Sequence, residues 1–216
     1  MEHGDLAFYQ SNCRRDPRQT SSDGDPLLNY LRKTNSTTIT LASLNYRLSP
    51  AVRHPGHQED VIAALNYLKE RYRMQEYILI GHSAGACLAF QVAHVPGCRG
   101  IVGVEGIYDL NELVEEYPEY QEFVEETFGK DKDVWRKASP TNIISYFPLT
   151  LTVQLVQSTE DQLLSPRQTQ LMFSQLQKTN ITLNETAWIR GTHDISITTP
   201  EFSMVVYNFT IQILNT

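Results

Sequence analysis

The sequence predicts an α/β domain in which helices cover both faces of a doubly wound, mostly parallel sheet. Three observations lead to this fold class. Strand-like and helix-like segments alternate along the chain, and several strands are continuous apolar runs such as Tyr77-Ile78-Leu79-Ile80. Such runs are typical of parallel sheets, because both faces of the sheet are covered. The length of 216 residues suits one domain, which we take to span residues 1–216.

The predicted elements follow one another from residue 38 onward. Residues 1–36 are polar and interrupted by Pro17, Gly24 and Pro26, so we expect them to be irregular apart from a short helical turn at 27–31. A helical insert, dense in Glu, Tyr and Phe, is expected at 109–148, with short helices at 109–117 and 119–128. The other predictions are strands at 38–47, 77–81, 101–104, 149–156 and 181–189, and helices at 61–72, 84–95, 167–178 and 200–214.

Composition and charge exclude several classes of protein. The net charge is −7, from 18 Lys and Arg against 25 Asp and Glu, which argues against a nucleic-acid partner. No apolar run approaches the roughly 20 residues of a membrane span, and the first residues lack the pattern of a signal peptide. Cys13, Cys87 and Cys98 have no metal-ligand spacing. We therefore expect a cytoplasmic protein with no membrane partner and no metal.

The sharpest local pattern is Gly81-His82-Ser83-Ala84-Gly85. It matches G-x-S-x-G between a buried strand and a helix, which is typical of a nucleophile elbow. Ser83 is then the candidate nucleophile, and the glycines leave space for the tight turn. The backbone N–H of Ala84, at the start of the helix, is a candidate oxyanion donor. The alternative is an ordinary glycine-rich turn between a strand and a helix.

A serine nucleophile needs a base and an acid, in the chain order serine, acid, histidine. His193 is the candidate base, since it lies in a loop between the last strand and the last helix; the alternative is a surface-loop histidine. Asp161 follows the penultimate strand and is the favoured acid, with Glu160 and Glu105 as rivals. His82 is expected to orient the elbow or to pack.

With these residues in place, the chain resembles the α/β-hydrolase superfamily and, within it, the kynurenine formamidases, especially the fungal ones. The resemblance covers the chain from about Arg15 to the C-terminus. Two segments, Tyr46–Pro50 and Gly81–Ala86, are shared with carboxylesterases of the hormone-sensitive-lipase type. The stretch from Glu105 to Tyr120, which includes Ile107-Tyr108-Asp109-Leu110, is the most specific to the formamidases. The segments around Asp161 and His193 are also similar to that family.

The resemblance implies hydrolysis of N-formyl-L-kynurenine to L-kynurenine and formate, a step of tryptophan breakdown that feeds NAD synthesis. It implies a small-molecule substrate, no cofactor, and a homodimer as the candidate assembly. The aromatic insert would roof the pocket, or would only pack against itself. Two other functions remain open from the sequence: a carboxylesterase for small acyl esters with the same Ser83, Asp161 and His193, and a non-catalytic remnant of the fold.

One segment departs from the family. The formamidases carry His-Gly-Gly-x-Trp just before an Asp-Pro pair, and its glycine amides complete the oxyanion hole. Here Gln10-Ser11-Asn12-Cys13-Arg14 occupies that place, ahead of Asp16-Pro17, and His3-Gly4 is only a fragment of the motif. We therefore expect either that N-terminal strands, a central one included, are missing or that half of the oxyanion hole is lacking, with impaired activity in both cases.

Overall fold

The computed structural model of the chain describes the backbone of residues 4–9 and all atoms of residues 24–34 and 39–215. Seven strands form one sheet in the order β2-β1-β3-β4-β5-β6, and β7 also pairs with β5. Every pair is parallel. The strands are β1 (Gly4–Tyr9), β2 (Ile39–Leu44), β3 (Tyr77–His82), β4 (Cys98–Val104), β5 (Thr152–Ser158), β6 (Thr182–Leu183) and β7 (Ala187–Ile189). The predicted α/β class is confirmed.

Nine α-helices lie in the described residues. They are α1 (Asp25–Lys33), α2 (Gly56–Tyr72), α3 (Ala84–Gln91), α4 (Leu110–Glu116), α5 (Gln121–Phe128), α6 (Lys132–Ala138), α7 (Pro140–Ile143), α8 (Arg167–Leu176) and α9 (Pro200–Leu214). Short 3₁₀ turns stand at Pro118–Tyr120, Ile144–Tyr146 and Ser196–Thr198. Among the described residues, no helix is both long enough and apolar enough to cross a bilayer.

The sheet is covered on both faces, which explains its apolar strands. Tyr77 and Leu79 of β3 belong to a core cluster that includes side chains of α2, α3 and α8. Ile78 and Ile80 point to the opposite face, into a cluster with side chains of α1 and α9. Successive strand residues thus bury opposite sides, so every position is apolar. The carboxyl ends of β3, β4 and β5 lie side by side and define one edge of the sheet.

The insert has its own small core. The insert contains four helices, α4 to α7, rather than the two that the sequence predicts. Leu110, Leu113, Val124 and Trp135 pack together in a third cluster. Asp109 begins α4 as its cap, and its side chain accepts hydrogen bonds from two backbone N–H groups of the first turn. The insert therefore lies as a folded unit beside α3, whose Cys87 belongs to the same cluster.

The N-terminal region corrects two expectations. Residues 1–36 are more regular than expected, since they include β1 and since the helical turn indicated at 27–31 extends to the nine residues of α1. The expected loss of a central strand is also wrong, because β1 lies between β2 and β3, with Gly4 opposite Ile39 and Asp5 opposite Tyr77. The backbone hydrogen bonds of β1 are made with strands on both sides. Since such pairing depends on distant segments, the six residues of β1 carry no local pattern from which the strand could be predicted. The segment Gln10–Arg14 and the Asp16-Pro17 pair lie outside the described residues.

Candidate active site

Ser83 lies at the turn between β3 and α3. Its backbone has φ 55° and ψ −123°, a conformation that side-chain-bearing residues rarely adopt. Hydrogen bonds hold the turn: the Ser83 N–H donates to the Val104 carbonyl at 2.9 Å, and the Ser83 carbonyl accepts from the Ile107 N–H at 3.2 Å. The half-buried Ser83 is therefore fixed at the carboxyl edge of the sheet in a strained conformation.

The elbow also requires Gly81. A Cβ atom there would stand 2.3 Å from the carbonyl oxygen of Gly85 and 2.7 Å from Cα of Ala86. Both are backbone atoms that cannot move away without unwinding the start of α3. Ala84 is the first residue of that helix, so its N–H is one of the four without an acceptor inside the helix. This N–H group can therefore donate a hydrogen bond to an anion that lies beside Ser83.

His193 and Asp161 meet at the same edge. The Nδ1 atom of His193 lies 2.8 Å from Oδ2 of Asp161, and both side chains are almost fully buried. The other carboxylate oxygen of Asp161 accepts from the backbone N–H groups of Leu163 at 2.8 Å and Leu164 at 3.0 Å. The His193 N–H in turn donates to Oε1 of Gln162 at 3.1 Å. Backbone N–H groups of both loops thus donate hydrogen bonds to side chains of the acid loop and hold the two loops in place.

The pair shifts the pKa values of both partners. Burial acts to raise the pKa of Asp161, but the hydrogen bond and charge of His193, with the two loop N–H groups, outweigh it and lower that pKa. Burial acts to lower the pKa of His193, but the hydrogen bond and charge of Asp161 outweigh burial and raise that pKa. Asp161 is therefore an anion that stabilises the protonated imidazole, and Nδ1 of His193 carries the shared proton.

His82 places the elbow beside the histidine loop. Its ring centre lies 4.5 Å from that of His193, and Ser83 is the next residue in the chain. Since Nδ1 of His193 is engaged by Asp161, Nε2 is the nitrogen that can exchange a proton with a substrate or a serine. Burial lowers the pKa of His82 to about 3, so its ring is neutral. The sequence-based expectation that His82 orients the elbow or packs agrees with this position.

The two rival acids occupy different places. Glu160 accepts from the backbone N–H of Gly191 at 3.0 Å, on the outside of the histidine loop. Glu105 is fully buried and its Oε2 lies 3.6 Å from Nδ1 of His193, against 2.8 Å for Asp161. The distances favour Asp161 as the partner of His193. Burial, followed by the charge of Asp161, raises the pKa of Glu105 to about 8.

One group of side chains has the spacing of a metal site. Ligand atoms of His82, Glu105 and His193 all lie within 4.8 Å of one another. These atoms are already engaged, since Nε2 of His82 is 3.2 Å from Oε2 of Glu105 and Nδ1 of His193 is bound to Asp161. The donor set therefore fits a hydrogen-bonded network better than the open coordination of a metal ion.

A cavity of about 410 Å³, including its open mouth, adjoins Ala84 and extends below the insert. Rings from three parts of the chain line the cavity, and the remaining lining is mostly aliphatic. The lining residues are Tyr46, His54, His57, Ala84, Cys87, Leu88, Gln91, Ile107, Leu110, Phe123, Thr127 and Phe128.

His54 and His57 have no role in the site expected from the sequence. Both nevertheless line the cavity, where burial lowers the pKa of each. The missed signal was their position after β2, because ligands bind outside the carboxyl ends of parallel strands. His57 also contacts the Ser49 hydroxyl, with Nε2 at 3.3 Å from Oγ.

Comparisons with known proteins match most of the chain. Residues 21–194 match the family model of the alpha/beta hydrolase fold. A kynurenine formamidase of Meyerozyma guilliermondii is 38% identical over 207 residues, which cover 89% of this chain and 78% of that protein. A kynurenine formamidase-like hydrolase of Fusarium equiseti is 29% identical, over 82% of this chain and 73% of its own length. Esterase B from Lactobacillus rhamnosis superposes with a TM-score of 0.80 over 99% of this chain and 78% of that chain, at 15% identity.

The family model and the Meyerozyma relative each cover most of the chain. The likeness to Esterase B adds that the same fold is found in a solved hydrolase structure. The resemblance noted from the sequence motifs is thereby confirmed at the level of the family. The chain is a hydrolase that belongs to the α/β-hydrolase superfamily and, within it, to the family of the fungal kynurenine formamidases.

Proposed function

We propose that the chain hydrolyses the formamide bond of N-formyl-L-kynurenine to give L-kynurenine and formate, with Ser83 as nucleophile, His193 as base and Asp161 as acid. The observation that carries this proposal is the 2.8 Å contact between His193 and Asp161 beside the strained elbow of Ser83. Its substrate is suggested by the kynurenine formamidase of Meyerozyma guilliermondii, at 38% identity.

The first half of the reaction is acylation of the serine. Nε2 of His193 removes the Ser83 hydroxyl proton while Oγ attacks the formyl carbon, and the carbonyl oxygen becomes an oxyanion. The Ala84 N–H stabilises that charge. Collapse of the tetrahedral intermediate breaks the C–N bond, and His193 returns its proton to the departing aryl amine. The products of this step are the free amine and a formyl ester on Ser83.

Water completes the cycle. His193 removes a proton from a water molecule, whose oxygen attacks the formyl ester, and the returned proton restores the Ser83 hydroxyl as formate leaves. Asp161 keeps its negative charge throughout and stabilises the imidazolium formed in each half-reaction. No step requires an added cofactor.

The cavity next to Ala84 suits an aromatic leaving group. Phe123 and Phe128 from α5 and Tyr46 from the loop after β2 provide ring surfaces against which an aryl amine can stack. His54 and His57 add polar atoms on the same wall. The aromatic insert therefore serves as the roof of the substrate site in this proposal.

We expect the rate of hydrolysis to be limited by the lack of a second oxyanion donor. Gln10-Ser11-Asn12-Cys13-Arg14 lacks the paired glycines that let backbone N–H groups approach a ligand closely. Loss of one oxyanion donor costs about 10²- to 10³-fold in rate. We therefore expect a detectable turnover that is about 10²- to 10³-fold below that of a formamidase with both donors.

A substrate panel tests the proposal. Purified chain is assayed with N-formyl-L-kynurenine and with p-nitrophenyl acetate, and Ser83→Ala is the control. We expect release of kynurenine and formate that disappears in the variant, and labelling of Ser83 by a fluorophosphonate probe. Strong preference for the ester would favour a small-acyl carboxylesterase instead. Absence of both turnover and labelling would indicate a non-catalytic protein.

We also propose that the protein is cytoplasmic. Among the described residues, Cys87 and Cys98 are buried and form no disulfide bond, which is the usual state of cysteines in a reducing compartment. Microscopy of the tagged full-length protein tests this location, and an organellar signal would refute it.

A further inference from the structure

Glu105 connects the three parts of the candidate site. It follows β4 directly, has φ 44° and is fully buried. Its Oε1 accepts from the Ser158 N–H at the end of β5, at 3.1 Å. Its Oε2 accepts from the Ser196 hydroxyl at 2.8 Å and faces Nε2 of His82 at 3.2 Å. One carboxyl group therefore contacts the elbow, the end of the acid strand and the histidine loop.

The same oxygen also points toward the candidate base. Oε2 of Glu105 is 3.6 Å from Nδ1 of His193, the atom that Asp161 holds at 2.8 Å. Two carboxyl groups from different strands thus converge on one ring nitrogen. A movement of less than 1 Å would bring Glu105 within hydrogen-bond distance of that nitrogen. The bond from Ser196, three residues after His193, ties Glu105 to the loop that would have to move.

We propose that Glu105 is a second positioning residue for His193, which orients the imidazole together with Asp161 and takes over that task when the carboxylate of Asp161 is absent. The Nδ1 proton stays on His193 in both arrangements, and only its acceptor changes. This inference rests on the proposed role of His193 as base, but it does not depend on which acyl group is cleaved.

The charges around Glu105 support such a replacement. His82 faces it from β3, His193 from the histidine loop and Asp161 from the acid loop, while Asp194 adds a negative charge near both rings. Burial and then the charge of Asp161 raise the pKa of Glu105. Removing Asp161 removes the second of these effects. Glu105 then ionises more readily in the very variant that needs another anion beside His193.

A double-mutant cycle tests the proposal. The variants are Asp161→Ala, Glu105→Gln and their combination, and kcat is measured with both N-formyl-L-kynurenine and p-nitrophenyl acetate. We expect less than about threefold loss for Glu105→Gln and about 10²-fold loss for Asp161→Ala, short of the ~10⁴-fold loss typical when a triad histidine loses its acid. The double variant should reach about 10⁴-fold, well beyond the product of the single losses.

A matched control separates this effect from loss of charge in general. Glu160→Gln removes a neighbouring carboxylate that contacts the Gly191 backbone rather than the imidazole of His193. Combined with Asp161→Ala, it should give the product of the two single losses. Two results would overturn the proposal. One is a kcat loss in the Asp161→Ala, Glu105→Gln double variant that equals the product of the two single losses. The other is a full ~10⁴-fold loss of kcat in Asp161→Ala alone.

Proton NMR provides a readout that a purely structural role would not move. The hydrogen-bonded Nδ1–H of His193 should remain visible far downfield in Asp161→Ala, and it should vanish in the double variant. If Glu105→Gln does not fold, the spectrum of Asp161→Ala decides alone, since absence of the signal there refutes the takeover. Failure to cleave the formamide while the ester is cleaved would count against the proposed substrate only, and the cycle is then evaluated on the ester.

Discussion

The strain at Ser83 should be measurable as lost stability. A residue with a side chain in such a sparsely populated conformation costs about 1–3 kcal/mol, and Ser83 has φ 55° and ψ −123°. Ser83→Gly removes that cost, because glycine adopts positive φ freely. Ser83→Ala keeps the Cβ atom and with it the strain. Both variants lose the hydroxyl, so the comparison between them isolates the backbone.

The expected difference follows from two opposing effects. Relief of strain contributes about 1–3 kcal/mol, while the greater freedom of glycine in the unfolded chain costs about 0.4–1 kcal/mol. Ser83→Gly should therefore have a free energy of unfolding above that of Ser83→Ala, by about 1.3 kcal/mol for the middle of both ranges. For a domain of this size, each kcal/mol corresponds to about 2–4 °C in Tm.

Urea and thermal unfolding of the two variants measure the difference, and both should be inactive on the formyl substrate. Ser203 in α9 offers a matched control, because it is buried in a regular helix. There the order should reverse, with Gly about 1 kcal/mol less stable than Ala. If Ser83→Gly is no more stable than Ser83→Ala, the elbow does not store strain and the reasoning is wrong.

Two further predictions concern pH and the cavity. His193 must be neutral to act as base and its pKa is raised from 6.5, so kcat/KM should fall as the pH drops through a value above 6.5. Asp161→Asn combined with Glu105→Gln removes two of the carboxylates that raise the pKa of His193, so it should move this acid limb to lower pH. A limb that stays in place in this double variant would contradict the assigned pair. Phe123→Ala should raise KM for the formyl substrate about tenfold with kcat nearly unchanged, through lost contact with the aryl ring. The exposed Tyr146→Ala in the same insert should leave KM unaltered, and an equal rise in both would refute a role for Phe123.

Local pattern was sufficient for the elements nearest the site. The apolar run of β3 and the spacing of Gly81 and Gly85 predict the elbow, because burial on both faces and a tight turn each impose residue types on a few adjacent positions. The loop of His193 could be predicted from chain order alone. The partnership with Asp161, 32 residues earlier, was a hypothesis that the 2.8 Å distance supports.

Features that depend on pairing between distant segments could not be predicted from the local sequence. The predicted strand at 181–189 is broken into β6 and β7, since each pairs with a different part of β5. Helices α6 and α7 are too short to be stable by intrinsic propensity. Helix α6 packs Trp135 and Ala138 into the core of the insert, and α7 packs Ile143 against the main core. The several contacts of Glu105 arise only when three strand ends meet.

The central place of β1 bears on the order in which the chain can fold. β1 precedes both of its partners in the chain, since β2 follows about 35 residues later and β3 about 70 residues later. Because synthesis proceeds from the N-terminus, β1 lacks its first neighbour until β2 has followed and its second until β3 has followed. Pairings of such long range slow folding, and they leave an open strand edge exposed to other chains in the meantime. Slow synthesis around β3 would prolong this interval, so the yield of soluble protein should depend on the rate of translation as well as on final stability.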